Sequence, residues 1–262
     1  MDIFIPILAL GTLGLFFGVG LAVAAKKLKV KVDPRLEKIY GLLPGANCGA
    51  CGGAGCFGFA ESLLSGKLSL GACRVAEEKS RQMIAEILGQ ELKEKVKMTA
   101  SSHCNGGKKV KERFIYQGIK DCVSANVCLG GQKDCVWGCL GLGDCVRVCP
   151  FGAIKMTDDG LPEVDKDKCV GCNRCVEACP KKLFTLIPSE KKIYVACSSC
   201  DSGKDTKAAC PVGCIACRKC EKACPYGAIH IVDNLAVIDY NKCTSCGECV
   251  KVCPMNTIRI RE

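Results

Sequence analysis

Three stretches of the chain share one arrangement of thiols, C-x2-C-x2-C-x3-C-P. They are Cys169, Cys172, Cys175, Cys179 and Pro180; Cys214, Cys217, Cys220, Cys224 and Pro225; and Cys243, Cys246, Cys249, Cys253 and Pro254. Spacing this tight turns three thiolates of one loop toward a single point, while the next turn carries the fourth elsewhere. That is metal-ligand chemistry. A disulfide framework would space its 26 cysteines among 262 residues to link separate segments, and such a framework belongs to oxidising compartments. Zinc sites often mix Cys with His, but only His103 and His230 occur, neither inside a cysteine group. A fourth group reads Cys48-x2-Cys51-x4-Cys56-x16-Cys73, among glycines 49, 52, 53, 55 and 58. Four thiolates without histidine suit one [4Fe–4S] cluster, with structural zinc as the alternative.

The three proline-terminated runs resemble bacterial two-cluster ferredoxins, in which the fourth cysteine of a run ligates the other cluster of the pair. The resemblance covers roughly residues 135–187 and 210–260. It implies one cluster on Cys214, Cys217, Cys220 and Cys253, and a second on Cys243, Cys246, Cys249 and Cys224. An internal repeat supports two such modules. Cys122, Cys135, Cys139, Cys145 and Cys149 recur 75 residues later as Cys197, Cys210, Cys214, Cys220 and Cys224, and Cys169, Cys172, Cys175 and Cys179 recur 74 residues later. In the first module one cluster then takes Cys149, Cys169, Cys172 and Cys175. Its partner takes Cys139, Cys145 and Cys179, but Leu142 stands where the second module has Cys217, and leucine binds no iron. Cys135 is the expected replacement, with Cys128 as the alternative. That makes five [4Fe–4S] clusters. Cys104, Cys122, Cys128, Cys197, Cys200 and Cys210 remain, and either some of them build a sixth cluster or they are buried, unligated thiols.

Elements must position these groups. Ile3 to Ala25 is an uncharged run of 23 residues, long enough to cross a bilayer as a helix. Asp2 precedes it and Lys26, Lys27, Lys29 and Lys31 follow, so the positive-inside rule puts the C-terminal body in the cytoplasm. A cleaved signal peptide would want positive charge before a shorter apolar core. Gly14 and Gly18 have the small-xxx-small spacing of packed membrane helices, although glycine is common in such helices. Residues 74–98 carry apolar Val75, Met83, Ile84, Ile87, Leu88, Leu92 and Val96 at helical spacing, which predicts a packing helix. The expected fold is α+β: a transmembrane anchor over 1–27, a small helical [4Fe–4S] domain over 28–98, and tandem two-cluster ferredoxin-like modules over 99–189 and 190–262. Trp137, Phe151 and Tyr226 lie near cluster loops and are expected to shield them. Arg147, Lys155, Lys166, Lys168, Arg174, Lys181 and Lys182 read as a solvated face or as a dock for an acidic partner. No phosphate loop, dinucleotide fingerprint or nucleophile–base pair is evident, so no catalytic residue is expected. The formal charge of +10 would be offset by five oxidised clusters at about −2 each, which argues against a nucleic-acid footprint.

The order of these parts, with the segments Gly45-Ala46-Asn47-Cys48-Gly49-Ala50-Cys51-Gly52 and Gly138-Cys139-Leu140-Gly141-Leu142-Gly143-Asp144-Cys145, resembles the B subunits of Rnf complexes over nearly the full chain. Leu142 then looks like part of the family pattern. The resemblance implies a subunit of a membrane-bound ferredoxin:NAD oxidoreductase coupled to Na⁺ or H⁺ translocation, enzymatic only within that complex. Its partners would be soluble reduced ferredoxin, the other membrane subunits and the flavin- and NAD-bearing subunits. The competing expectations are an anchored polyferredoxin of a hydrogenase or dehydrogenase and, further off, a zinc-rich nucleic-acid-binding protein.

Overall fold

The computed structural model describes residues 4–27, 33–92 and 96–261; Asp2, Ile3, Lys29 and Lys31 lie outside the described residues. Helix α1 (Phe4–Lys27) has 24 residues, about 36 Å at ~1.5 Å per residue, against a hydrocarbon core of ~30 Å. Phe4, Leu8, Leu15 and Phe16 on it are exposed, and Thr12 Oγ1 donates to Leu8 O at 2.9 Å, so its hydroxyl needs no outside partner. Gly14 and Gly18 face open space. Lys26 and Lys27 close the last turn, where the helix dipole favours cations.

Three helices build the next unit. Asp33 caps α2 (Pro34–Leu42) by accepting from Arg35 N at 2.9 Å, with proline at the first helical position. α3 (Gly55–Leu64) and α4 (Glu78–Leu88) complete a core of Leu36, Ile39, Leu43, Phe59, Leu63, Leu70 and Ile84. The packing helix expected over 74–98 is therefore shorter. Gly89 ends it in the left-handed region (φ 65°); Leu92 still packs on the core while Val96 is exposed.

The rest folds as two similar halves. In the first, β1 (Met98–Ser102) and β4 (Phe184–Pro188) pair antiparallel as the outer strands. Between them run α5 (Cys122–Val127), α6 (Asp144–Arg147), the hairpin of β2 (Ile154–Met156) and β3 (Pro162–Val164), and α7 (Arg174–Ala178). In the second, β5 (Ile193–Val195) pairs with β8 (Ile258–Ile260) around α8 (Gly203–Ala209), α9 (Lys219–Ala223), the β6 (Ile229–Val232)–β7 (Leu235–Ile238) hairpin and α10 (Glu248–Lys251). The segment between leading strand and first helix is longer in the first half, from Ser102 to Cys122 against Val195 to Gly203. Their cores mix cysteine with Ala, Ile and Leu: Cys145, Cys169 and Cys175 with Ala153, Ile154 and Leu183, and Cys214, Cys220 and Cys249 with Ile193, Ile229 and Ile258.

The halves are tied through the end of β1. His103 Nδ1 donates to Val195 O at 2.7 Å while Thr185 Oγ1 donates to His103 Nε2 at 2.6 Å. Burial lowers the His103 pKa, consistent with the neutral ring this pattern needs. Ser198 Oγ donates to His103 O at 3.0 Å, and Arg259 Nη1 to Asn105 Oδ1 at 2.6 Å.

Candidate metal centres

Four one-turn helices do the same job. α6, α7, α9 and α10 each follow a residue in the left-handed region (Gly143, Asn173, Arg218 and Gly247), and each carries a buried cysteine as its second residue: Cys145, Cys175, Cys220 and Cys249. The sharp entry lifts that thiol out of the preceding loop and turns it inward.

Three cavities of nearly equal volume result. Cys224, Cys243, Cys246 and Cys249 line one, Cys149, Cys169, Cys172 and Cys175 a second, and Cys214, Cys217, Cys220 and Cys253 a third, each of about 20 Å³. These groupings coincide with the ferredoxin pairing. Burial pushes the Cys175 thiol up to about 12, with repulsion from Cys169 and Cys172 next. Burial takes Cys220 and Cys249 up to about 11, followed by repulsion from their own set-mates. Four thiolates cannot share such a space without a cationic core between them, so loading the site must release protons. Among the described residues no three His, Cys, Asp or Glu groups close around a point fit for one metal ion. Four thiols and no histidine around each space are the donor set that a multi-iron group takes.

Backbone amides point at the sulfurs. Ala228 N donates to Cys224 Sγ at 3.3 Å, and Ala100 N to Cys169, Ser245 N to Cys243, Leu183 N to Cys179 and Thr257 N to Cys253, each at 3.4 Å. Such donors stabilise added negative charge. Phe151 and Tyr226 line two of the cavities, although Tyr226, like Trp137, is exposed.

Around Leu142 the neighbouring thiols differ from the set expected with Cys135. Burial pushes the Cys145 thiol up to about 12, and the next contributions come from Cys122 and Cys179. Cys139 is likewise raised by burial, and the thiols that repel it are Cys104 first, then Cys145 and Cys122. Cys122, the first residue of α5, therefore lies beside Cys145 and Cys179, its own amide donating to Asp144 Oδ2 at 3.0 Å and the Asp144 and Leu142 amides near its sulfur. Cys128 is exposed and stands outside this set. Cys135 stands elsewhere: burial pushes it up to about 11, and the thiols that repel it are Cys210, Cys104 and Cys197. A reciprocal exchange accounts for the difference. The helix of the second half that corresponds to α5 begins with Gly203, and a Cβ there would meet Ile215 O at 2.4 Å. There the loop supplies Cys217; in the first half the helix supplies Cys122.

In the N-terminal unit Cys73 lies beside Cys51 and Cys48, and Cys56 packs on the same core. Asn47 Oδ1 accepts from Cys56 N at 2.8 Å, and Gly55 (φ 79°) leaves it room; a Cβ there would come within 2.8 Å of that oxygen. This unit abuts the first half: Cys48 leads the thiols that repel Cys172, and Arg174 Nε donates to Cys48 O at 3.1 Å.

Most of the basic residues singled out in the sequence are engaged within the chain. Arg147 pairs with Asp144, Lys155 with Glu163 at 2.9 Å and Lys168 with Asp165 at 3.5 Å, and Lys166 Nζ donates to Arg261 O at 3.4 Å. Lys181 Nζ donates to Gly130 O at 2.6 Å and Val136 O at 2.7 Å, beside Cys135 and Cys179; burial lowers its pKa. His103 and His230 meet backbone, Thr185 and Glu221 rather than a thiol set.

Thiol sets of this kind on short ferredoxin-like elements define an iron–sulfur protein. Family models agree: a 4Fe-4S dicluster domain matches residues 213–257, a 4Fe-4S binding domain residues 161–184, and a putative Fe-S cluster family residues 43–75. The chain is 46% identical over 242 residues to the B subunit of the Na⁺-translocating ferredoxin:NAD⁺ oxidoreductase complex of Acetobacterium woodii, covering 92% of this chain and 73% of that one. It is 43% identical to the B subunit of the ion-translocating oxidoreductase complex of Methanosarcina acetivorans, over 90% of each chain. It is 39% identical to the B subunit of the proton-translocating ferredoxin:NAD⁺ oxidoreductase complex of Clostridium ljungdahlii, over 93% of this chain and 87% of that one. The chain belongs to the family of B subunits of the Rnf ion-translocating oxidoreductase complexes.

Proposed function

We propose that this chain is the membrane-anchored electron-transfer subunit of such a complex, taking electrons from reduced soluble ferredoxin and passing them to the other subunits. The N-terminal unit (28–98) and tandem ferredoxin-like modules (99–189 and 190–262) hold [4Fe–4S] clusters on five sets: Cys48, Cys51, Cys56 and Cys73; Cys149, Cys169, Cys172 and Cys175; Cys122, Cys139, Cys145 and Cys179; Cys214, Cys217, Cys220 and Cys253; and Cys224, Cys243, Cys246 and Cys249. Bound clusters supply one-electron transfer; the chain's part is to hold their thiolates, exclude water and aim amides at the sulfurs. α1 crosses the cytoplasmic membrane once, and Lys26 and Lys27 at its end keep the body on the cytoplasmic side. α1 carries no ionisable group before Lys26, so the ion path belongs to partner subunits.

The observation that carries this reading is the trio of near-equal, four-thiol cavities in a chain whose relatives are named as subunits of ferredoxin:NAD⁺ oxidoreductase complexes. The test is anaerobic purification with metal analysis, then mixing with reduced ferredoxin. At least ~20 Fe per chain and bleaching of the visible absorbance by ferredoxin are expected. Stoichiometric zinc without iron would refute the reading.

A further inference from the structure

The two halves meet around thiols that the five sets leave unused. Cys104, Cys197 and Cys210 surround the buried Cys135. Cys197 in turn has Cys104 as a neighbour, as does Cys210. A Cβ at Gly106 would lie 3.5 Å from Cys210 Sγ and 3.8 Å from Cys104 Sγ, and one at Gly138 would lie 3.6 Å from Cys135 Sγ. Side-chain-free backbone thus cradles three of the four sulfurs.

The group is built as two matched pairs. Cys104 follows the end of β1 by two residues, and Cys197 follows the end of β5 by two residues. Cys139 N donates to Cys104 Sγ at 3.4 Å; its repeat partner Cys214 N donates to Cys197 Sγ at 3.3 Å. Cys135 and Cys210 are repeat partners, and each carbonyl accepts from the glycine three residues on, Gly138 at 3.0 Å and Gly213 at 3.4 Å. One half alone supplies two thiols; four converge only when the halves pack.

We infer that Cys104, Cys135, Cys197 and Cys210 form a further metal site, shared by the two halves, that takes an iron–sulfur cubane. The inference rests on the iron–sulfur reading of the chain and extends it. The site is not an isolated store. Cys139 belongs to the Cys122 set and Cys214 to the Cys217 set, so each hydrogen bond to Cys104 and Cys197 links a ligand of a neighbouring set to a ligand of this one. The His103 contacts to Val195 and Thr185 clamp Cys104 in place. Cys128 is exposed and Cys200 Sγ donates to Ser198 O at 3.9 Å, so neither is assigned to the site.

The test uses the full chain in detergent, purified anaerobically, with iron, zinc and circular dichroism measured on each variant. The wild type is expected to hold ~24 Fe, and Cys104→Ala, Cys135→Ala, Cys197→Ala and Cys210→Ala ~20 each. Cys135→Ala/Cys210→Ala is expected to stay near ~20, because both act on one site, whereas Cys122→Ala/Cys135→Ala falls to ~16. Unchanged iron in the single variants, additive loss in Cys135→Ala/Cys210→Ala, or loss of one zinc with iron intact overturns the inference. A wild type without iron overturns the parent reading instead. Should an alanine variant unfold, Cys210→Ser keeps a ligating oxygen and must still alter one cluster's EPR signal; identical spectra count against the site.

Discussion

The exchange between Cys122 and Leu142 offers a gain-of-function test. In the second half the equivalent set draws its loop ligand from Cys217, and the helix that would otherwise supply one starts with Gly203. In the first half the Leu142 amide is near the Cys122 sulfur, so a thiol at 142 starts close to the same set. Cys122→Ala removes one of four ligands from one set; with ~4 Fe per cluster, a chain holding ~24 Fe falls to ~20, a loss of one sixth. Cys122→Gly/Leu142→Cys copies the second half and is expected to restore iron to within ~1 Fe of wild type. Loss of Leu142 costs some packing, but this loop residue is only half-buried. The assay is anaerobic iron and sulfide analysis on equal amounts of folded chain, with EPR of the reduced state to show that the returning signal is a [4Fe–4S] cluster. If Cys122→Ala retains all its iron, or the double variant stays at ~20, the Cys122 assignment and the reciprocal-exchange explanation are both wrong.

Other consequences are simpler to measure. Lys181→Met removes a cation beside Cys135 and Cys179 and strips two carbonyls of their donor. Redox titration should show one or two clusters moving to lower potential by tens of millivolts, with a stability loss of ~1–3 kcal/mol in thermal melts. Gly55→Ala forces a Cβ into the left-handed region and onto Asn47 Oδ1; a cost of ~1–2 kcal/mol and selective loss of the N-terminal iron are expected. Iron chelation should unfold the two ferredoxin-like halves, whose cores mix cysteine with aliphatic residues, while far-UV circular dichroism still reports α2–α4 on their own core.

Much of this protein is legible in one dimension because ligand spacing is local. A C-x2-C-x2-C loop closes on itself, so three thiols of each set at Cys169, Cys214 and Cys243 are local, and the fourth follows from the exchange between runs that the ferredoxin resemblance implies. The apolar run of α1 and the Cys48–Cys73 block are equally self-contained. The thiol proposed to complete the Leu142 set is not local: Cys122 stands on a helix 20 residues upstream, whereas nearness in sequence pointed to Cys135. The 75-residue offset also matched Cys122 to Cys197. Aligned on their leading strands, the halves match Cys104 to Cys197 instead, because extra chain separates β1 from α5 in the first half.

The sequence alone, then, pointed to the ligand chemistry, the repeat, a helix long and apolar enough to cross a membrane and the family, since each is carried by local spacing or by local spacing that recurs. Only the tertiary structure decided which thiols share a cavity where the pattern breaks. Packing of β1 and the halves against each other carries Cys104 and Cys135 to Cys197 and Cys210, a convergence set by hydrogen bonds across the interface and by glycines that leave the sulfurs room. No spacing rule encodes it, because the residues that meet belong to different repeats.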